Sequence, residues 1–251
     1  MNKKYTDTVW QKFGEENPFY GVLSDQKYST ENITEESKKQ FFQSGYDYVE
    51  KLIEKIKKYI DPEFSAENTV DFGCGLGRLV IPLSKFSRHV TGIDVSDAMI
   101  KKAAEFCRTQ SISNVSFVKS DDTLSRLTGE YDFIHSFIVF QHIPVKRGEI
   151  IFKSLLQHLK VGGVGVLHFT YAHDYKPKYV LNFIKEYIPL VSCLINYFKK
   201  RDLNAVAAEM NPYNINRLLI MLQKDHVSDI HLEYTDHGHE LGVILFFKKD
   251  R

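Results

Sequence analysis

The sequence predicts an α/β protein built on a doubly wound, mostly parallel sheet. Three observations carry this reading. Apolar, strand-like runs alternate with helical periodicity through the middle of the chain, as in a parallel sheet joined by crossover helices. One such junction, "TVDFGCGLGRLVIP" at residues 69–82, turns through three glycines at alternate positions, Gly73, Gly75 and Gly77. The chain then finishes in two strand-like runs, "SDIHLEYTDHG" and "LGVILFFKK", whose short link allows only a hairpin. A chain of 251 residues that is 43% hydrophobic can bury one sizeable core with material to spare. A single domain over residues 1–251 is expected.

The elements follow in order. "WQKFGEENPFYGVLSDQKY", residues 10–28, sets aromatic residues among Gly, Asn and Pro, which suits an ordered loop better than a regular element. Thr34 caps a helix with apolar positions at Phe42, Tyr46, Val49, Ile53, Ile56 and Ile60, ending near Asp61-Pro62. Thr69 to Phe72 is a first buried strand. After the glycines, Leu79, Val80, Pro82, Leu83 and Phe86 space a helix over residues 78–86. Val90 to Ile93 is a second strand, with Asp94 at its carboxyl end. Val115 to Val118 is a third, followed by Asp121 and Asp122. Phe133 to Phe137 is a nearly continuous apolar run, as expected of a central parallel strand, and it breaks into Gln141 and His142. Gly162 and Gly163 read as a helix stop before a fifth strand, Val164 to Phe169. Residues 211–226 read as a helix with Ile215, Leu218, Leu219 and Leu222 on its apolar face.

Three glycines at a strand-to-helix turn point to a ligand. Glycine admits unusual dihedrals and close approach, and a helix N-terminus offers unpaired N–H groups to a carboxylate or phosphate. A dinucleotide turn wants Gly-x-Gly-x-x-Gly, but the residue three after Gly75 is Arg78. No Gly-Lys-Ser/Thr follows, so a P-loop is absent too. The pattern present is Asp71-x-Gly73-x-Gly75-x-Gly77. It resembles the first motif of the class I S-adenosylmethionine-dependent methyltransferases. The acids and apolar runs after strands two, three and four extend that resemblance over residues 69–171.

The resemblance implies a Rossmann-like sheet of seven strands with the last antiparallel, and S-adenosyl-L-methionine as cofactor. It implies that Asp71, Gly73, Cys74, Gly75, Gly77 and Arg78 pack against the methionine part. Asp94, with Val95 and Met99 after it, would meet the ribose hydroxyls; a helix cap is the other role open to Asp94. Asp121 would accept from the adenine amine with Asp122 beside it, or else lie in a solvated turn. Ser136, Phe137, Gln141 and His142 would lie nearest the transferred methyl group. His142 is the candidate general base, with local packing as the alternative, and Gln141 would orient the acceptor. Tyr20, Tyr171, His173, Met210 and Tyr213 complete the expected acceptor lining. Related quinone methyltransferases can hold a metal through an acid before this histidine. Gln141 departs from that pattern, so no metal is expected. His168 reads as a satisfied sheet residue, and His237 and His239 as flanks of a hairpin turn at Gly238.

Two segments exceed the minimal fold. Residues 1–60 read either as a helical cap whose first part flaps over the cofactor crevice, or as a satellite cluster under the first long helix. Residues 172–210, between the cofactor-binding core at 61–171 and the ending at 211–251, read as a helical lid or as a dimer-forming pair. The balance of 33 basic and 32 acidic residues gives a net charge of +1, which offers no nucleic-acid surface. Cys74, Cys107 and Cys193 show no metal or disulfide spacing. The polar start contains no signal peptide, which makes a cytoplasmic location the default. The most apolar stretch, residues 179–198, is interrupted by Lys185, Glu186 and Pro189 and is too short to cross a bilayer. O-methylation of a small polar or sugar-type metabolite is the leading functional expectation. A lipid-linked or isoprenoid acceptor and a non-catalytic cofactor-binding protein are the rivals, and an RNA or protein methyltransferase is disfavoured.

Overall fold

A computed structural model describes residues 4–174 and 209–250. The described strands are β1 (Ala66–Phe72), β2 (Ser87–Asp94), β3 (Val115–Lys119), β4 (Tyr131–Ser136), β5 (Leu159–His173), β6 (Ile230–Asp236) and β7 (Glu240–Lys248). They form one seven-stranded sheet in the order β3-β2-β1-β4-β5-β7-β6. The first five strands are mutually parallel, with Val70 beside Thr91 on one side and Ile134 on the other. β7 runs antiparallel to β5 and pairs Leu167 with Leu245. The order reverses between β1 and β4, so their carboxyl ends open a crevice at a switch point, where ligands of such sheets bind.

Helices cover both faces. The described ones are α1 (Lys4–Glu16), α2 (Pro18–Val22), α3 (Glu35–Tyr59), α4 (Val80–Leu83), α5 (Asp97–Thr109), α6 (Val145–His158) and α7 (Ile215–Lys224). Alternate residues of the central strands divide between two cores, the period-two signature of a doubly covered sheet. Phe133, Val164, Val166, Ile244 and Phe246 pack under α3 and α4. Ile134, Leu167, Phe169, Leu245 and Phe247 pack under α6 and α7.

α3 begins at a capping box: Thr34 accepts from the Ser37 amide at 3.1 Å, and Ser37 Oγ accepts from the Thr34 amide at 2.8 Å. Its buried face runs through Phe41, Gly45, Val49, Leu52, Ile53 and Ile56, so Phe41 and Gly45 face inward where Phe42 and Tyr46 were expected to.

Three other expectations need correction. Residues 10–28 are not a loop. They continue α1, form α2 and end in a single 3-10 turn at Gln26–Tyr28. Apolar residues at helical spacing outweigh the lone Gly14, and Pro18 stands at the first position of α2, where a missing N–H costs nothing. The helix after the glycines shrinks to Val80–Leu83. Residues 73–79 are taken up by the turn, and Pro82 has no N–H to extend the ladder. Gly162 and Gly163 do not stop a helix. α6 already ends at His158, and both glycines lie within β5, where the Gly162 amide donates to Lys249 O at 2.7 Å. The expected lid, residues 175–208 with Cys193, lies outside the described residues. No helix among the described residues is long and apolar enough to cross a membrane.

The glycine turn sits directly beneath α3. A Cβ on Gly45 would stand 2.1 Å from the carbonyl oxygen of Arg78. Gly45→Ala gains about 1 kcal/mol of helix propensity but drives a methyl group into backbone that the turn holds in place, an overpacking that typically costs about 1–3 kcal/mol. The net effect should be a lowered melting temperature and a turn pushed towards the crevice. Thermal unfolding checks the first, and cofactor titration the second.

Candidate active site

The crevice at the strand ends contains a cavity of about 490 Å³, within the ~300–1,000 Å³ of ordinary small-molecule sites. Its floor is the glycine turn. Gly73, Gly75 and Gly77 all have positive φ, at 76°, 51° and 79°. A Cβ on Gly73 would stand 2.3 Å from a Val139 methyl, and one on Gly75 would stand 2.9 Å from a Val22 methyl. Gly73, Cys74 and Gly75 line the cavity. Gly77 does not; it lets α5 approach at Ala103.

Asp94 ties this turn to the next one. Its Oδ2 accepts from the Gly75 amide at 2.8 Å and its Oδ1 from the Ser96 amide at 2.9 Å. The carboxylate is fixed at the cavity wall, and each oxygen keeps a lone pair for a further donor. Burial pushes its pKa up to about 6, against the lowering effect of the Ser96 and Gly75 amides. The helix-cap role falls instead to Ser96, whose Oγ accepts from the Met99 amide at 3.2 Å.

Deeper in, two opposite charges face the same space. Asp71 Oδ1 is 2.8 Å from His135 Nδ1, and His135 Nε2 is 3.0 Å from the Tyr48 hydroxyl. Burial raises the Tyr48 pKa far above its ordinary value, so Tyr48 donates to Nε2 and the Nδ1 proton of His135 goes to Asp71. Arg78 is 8% exposed, and its Nε has no hydrogen-bond partner among the described residues. Its one hydrogen bond there is a long one, 3.4 Å from NH1 to Ser44 Oγ. Burial lowers the guanidinium's pKa.

The cavity is also lined by Phe137, Gln141, His142, Met210 and His237. Gln141 and His142 lie in a 3-10 turn after β4, where Ile138 takes a φ of 58°. His142 Nδ1 is 2.9 Å from the backbone oxygen of Glu209. A carbonyl only accepts, so the ring proton sits on Nδ1, and Nε2 keeps its lone pair. The Gln141 amide nitrogen donates to that Nε2 at 3.2 Å, while Gln141 Oε1 accepts from Thr170 Oγ1 at 2.7 Å. Burial lowers the pKa of His142, partly offset by Glu209.

α1 and α2 close the mouth. Thr6, Asp7, Trp10 and Phe13 line the cavity from α1, and Gly21 to Ser24 from α2 and the residues after it. The Trp10 ring packs on His142 at 4.9 Å. Arg147 of α6 clamps Asp7 through NH1 at 2.5 Å and NH2 at 3.0 Å, and holds Asp122 through Nε at 2.5 Å. Gln11 Oε1 accepts from Ser96 Oγ at 3.2 Å and the Ala98 amide at 3.4 Å. The segment has two faces. Its front closes the crevice, while Phe19, Tyr28 and Phe41 form a separate aromatic cluster behind.

Several expected residues stand elsewhere. Asp121 turns from the cavity to its own loop, where Oδ1 accepts from the Thr123 and Ser125 amides at 2.9 and 3.0 Å; these bonds, with that from Ser125 Oγ first, hold its carboxyl well below the usual range. Asp122 is taken by Arg147, and Ser120 lines the cavity in their place. Ser136 Oγ donates to Phe72 O and is buried behind the wall. Tyr20 is absent from the lining, which passes to its neighbours Gly21 to Ser24. Tyr171 packs against the α6–α7 core and Tyr234. His173 pairs with Glu240. Tyr213 is a core residue whose hydroxyl donates to Ile143 O at 2.9 Å, so it does not approach a methyl donor. His168 is a sheet residue bonded through Nε2 to Thr235 Oγ1 at 2.8 Å, but its Nδ1 has no partner among the described residues. His237 was read only as a hairpin flank, yet it lines the cavity; the pairing of β6 with β7 that brings it there leaves no local sequence signal. Among the described residues there is no cluster of side chains fit to hold a metal.

The family model for the methyltransferase domain matches residues 69–163. Residues 69–163 are thus similar to the methyltransferase domain, in keeping with the resemblance to the class I S-adenosylmethionine-dependent methyltransferases. It is 29% identical over 146 residues to thiocyanate methyltransferase 1 of Brassica oleracea, covering 57% of this chain and 61% of that one. It is 27% identical over 121 residues to the ubiquinone biosynthesis O-methyltransferase of Rickettsia akari, covering 47% of this chain and 46% of that one. Thus the chain matches about half of each relative's length. Among solved structures, magnesium protoporphyrin IX methyltransferase of Synechocystis PCC 6803, crystallised with S-adenosylhomocysteine, shares the fold. That match has a TM-score of 0.65, at 18% identity, over 97% of this chain and 99% of that one.

The cavity fits S-adenosylmethionine on its own terms. The amino-acid end of that molecule is a zwitterion, and Asp71 and Arg78 offer one partner to its ammonium and one to its carboxylate. A ribose presents two hydroxyl donors, and Asp94 keeps two acceptor sites. Protonation of Asp94 removes those sites. Affinity for S-adenosylhomocysteine should therefore fall by up to about tenfold per pH unit below about 6 and level off above it, while Asp94→Asn should bind weakly with no such slope. Calorimetry from pH 5 to 8 reads both; equal, pH-independent affinities would leave Asp94 a purely structural brace.

Proposed function

We propose that this protein transfers a methyl group from S-adenosylmethionine to an oxygen of a small acceptor, with His142 as general base. Bound along the glycine turn, the cofactor supplies a methyl group on a positively charged sulfur, a leaving group that keeps the carbon–sulfur electron pair. The observation that carries the base assignment is the bond from His142 Nδ1 to Glu209 O. It leaves Nε2 as the unprotonated nitrogen, able to take the proton of an acceptor hydroxyl that replaces the Gln141 amide now donating to it. Gln141 keeps its bond from Thr170 Oγ1 through its own oxygen. Trp10 covers the ring and keeps water from it. The α1–α2 cover and the Arg147 clamp hold the reactants in one enclosed volume, where proximity lowers the barrier.

An oxygen acceptor is favoured over a charged nucleic acid by the enclosed cavity and the near-neutral chain. The sugar-type acceptor expected from sequence is less well matched, because Trp10, Phe13, Phe137 and Met210 give the walls an apolar character. The Rickettsia relative, a ubiquinone biosynthesis O-methyltransferase by name, agrees with the oxygen acceptor. It also keeps an isoprenoid acceptor as the second reading. A dimer has no support from the described residues and is not proposed.

His142→Ala should lower kcat by about 10²–10⁴ without weakening S-adenosylhomocysteine binding, since the glycine turn and Asp94 are untouched. The wild-type kcat should hold steady down to the ordinary histidine value of about 6.5 and decline only below it, because burial lowers the pKa of this ring. S-adenosylhomocysteine release by wild type and variant over that range measures both effects. An unchanged kcat in the variant would remove His142 from the chemistry.

A further inference from the structure

The acceptor end of the cavity has a composition that the cofactor does not explain. Two imidazoles line it, from different parts of the chain: His142 after β4, and His237 in the β6–β7 turn. Each packs against a larger aromatic ring that also lines the cavity. Trp10 meets His142 at 4.9 Å with a 59° tilt, and Phe137 meets His237 at 5.9 Å, edge to face. Behind His237 the His168 ring stands 5.5 Å away, buried, with its Nδ1 unpartnered among the described residues. No hydrogen bond among the described residues engages either ring nitrogen of His237. Burial lowers the pKa of all three rings, which favours the neutral form, in which an imidazole donates once and accepts once; of the three, His142 and His237 line the cavity.

We propose that the acceptor is an aromatic alcohol, a flat ring seated against Trp10 and Phe137, with its reacting hydroxyl at His142 Nε2 and a second oxygen at His237. This rests on the methyltransferase reading of the same cavity and names its substrate class. The walls select for a flat ring, since aromatic surfaces gain most from stacked or edge-on aromatic partners. The two imidazoles select for oxygen at two places, and a site built around buried hydrogen-bonding groups discriminates against ligands that leave them unpaired. Neutral rings suit uncharged hydroxyls rather than carboxylates or phosphates, which would seek a cation. Arg147 lines the cavity too, but Asp7 and Asp122 occupy it. The step balances: the O–H proton passes to His142 Nε2, the oxygen forms the new bond to the methyl carbon, and the sulfur keeps the electron pair of the bond that breaks.

The chain has a single tryptophan, Trp10, and it lines this cavity, so its fluorescence reports occupancy directly. We would titrate the protein first with S-adenosylhomocysteine. To that complex we would add, separately, phenol, each of the three benzenediols, inositol and farnesol. The expected result is saturable quenching by at least one benzenediol, weaker quenching by phenol, and none by inositol or farnesol. With S-adenosylmethionine the same benzenediol should yield a monomethyl ether. His237→Ala should raise KM for that benzenediol by roughly tenfold, the loss of one hydrogen bond, and leave KM for phenol unchanged; His237→Gln should restore part of the difference. Binding of S-adenosylhomocysteine with no response to any phenol, or with a preference for inositol or farnesol, overturns the aromatic acceptor and leaves the methyltransferase reading standing. A His237→Ala effect equal for phenol and benzenediol overturns the second-oxygen contact. Failure to bind S-adenosylhomocysteine overturns the parent reading itself.

Discussion

The carboxylate of Asp94 is the brace on which the site depends. It spans two crossover turns, taking the Gly75 amide with one oxygen and the Ser96 amide with the other. The amides of Gly73 and Cys74 both donate to Ile93 O, at 2.7 and 2.9 Å, so three amides of the turn after β1, with that of Gly75, bond to the end of β2. Backbone with positive-φ glycines at three alternate positions has little stiffness of its own. These bonds supply it. The cost is a carboxylate held in a half-buried place with no cation bonded to it, and the raised pKa measures that cost. Such a group stays ionised at neutral pH only because amides face it, and further hydroxyl donors would favour the ionised form still more.

Closure of the crevice depends on a second set of contacts, and these are of a different kind. α1 reaches the core through Asp7, Trp10 and Gln11, one residue for each of the neighbouring elements α6, the β4 turn and the start of α5. Arg147 is largely buried between two acids. A buried ion pair of this type contributes little net stability but makes separation costly once one partner leaves. The arrangement therefore specifies where α1 docks more than how strongly. Trp10 connects the same helix to His142.

The sheet was legible in the sequence because both of its faces are covered. Near-continuous apolar strands such as Val243 to Phe247, and alternating helices, have no other economical arrangement, and the hairpin at the end follows from its short link. The glycine turn and Asp94 were legible because local chain geometry places them. α1 was not, since its helical face is built from aromatics that also read as loop residues, and its partners lie far along the chain. The same limit explains Asp121, whose carboxylate had a competing partner two and four residues on, and Tyr213, whose hydroxyl is spent on Ile143 O. Side-chain direction at a strand end is decided by such local competition, not by position in a motif. His237 escaped notice for the opposite reason. Nothing near it in sequence points to a cavity, and only the pairing of β6 with β7, beside β5, carries the hairpin turn to the crevice.

The cavity is therefore divided by the origin of its walls. One part is made by contiguous segments, residues 71–79 and 94–99, where charges are set by the backbone and by buried partners: Asp71 by His135, Asp94 by amides, and Arg78 by a single long bond to Ser44 among the described residues. The other walls come from α1, the β4 turn, Met210 and the β6–β7 turn, where His142 and His237 stand with Gln141, and Asp7 is paired with Arg147. Methyl transfer from a sulfonium to a neutral hydroxyl moves the positive charge and does not remove it: in the proposed step it leaves the sulfur and appears on the His142 ring, which takes the proton. The fixed charges that line the cavity beside Trp10, Asp7 and Arg147, are committed to each other, which leaves selection of the acceptor to shape and hydrogen bonding.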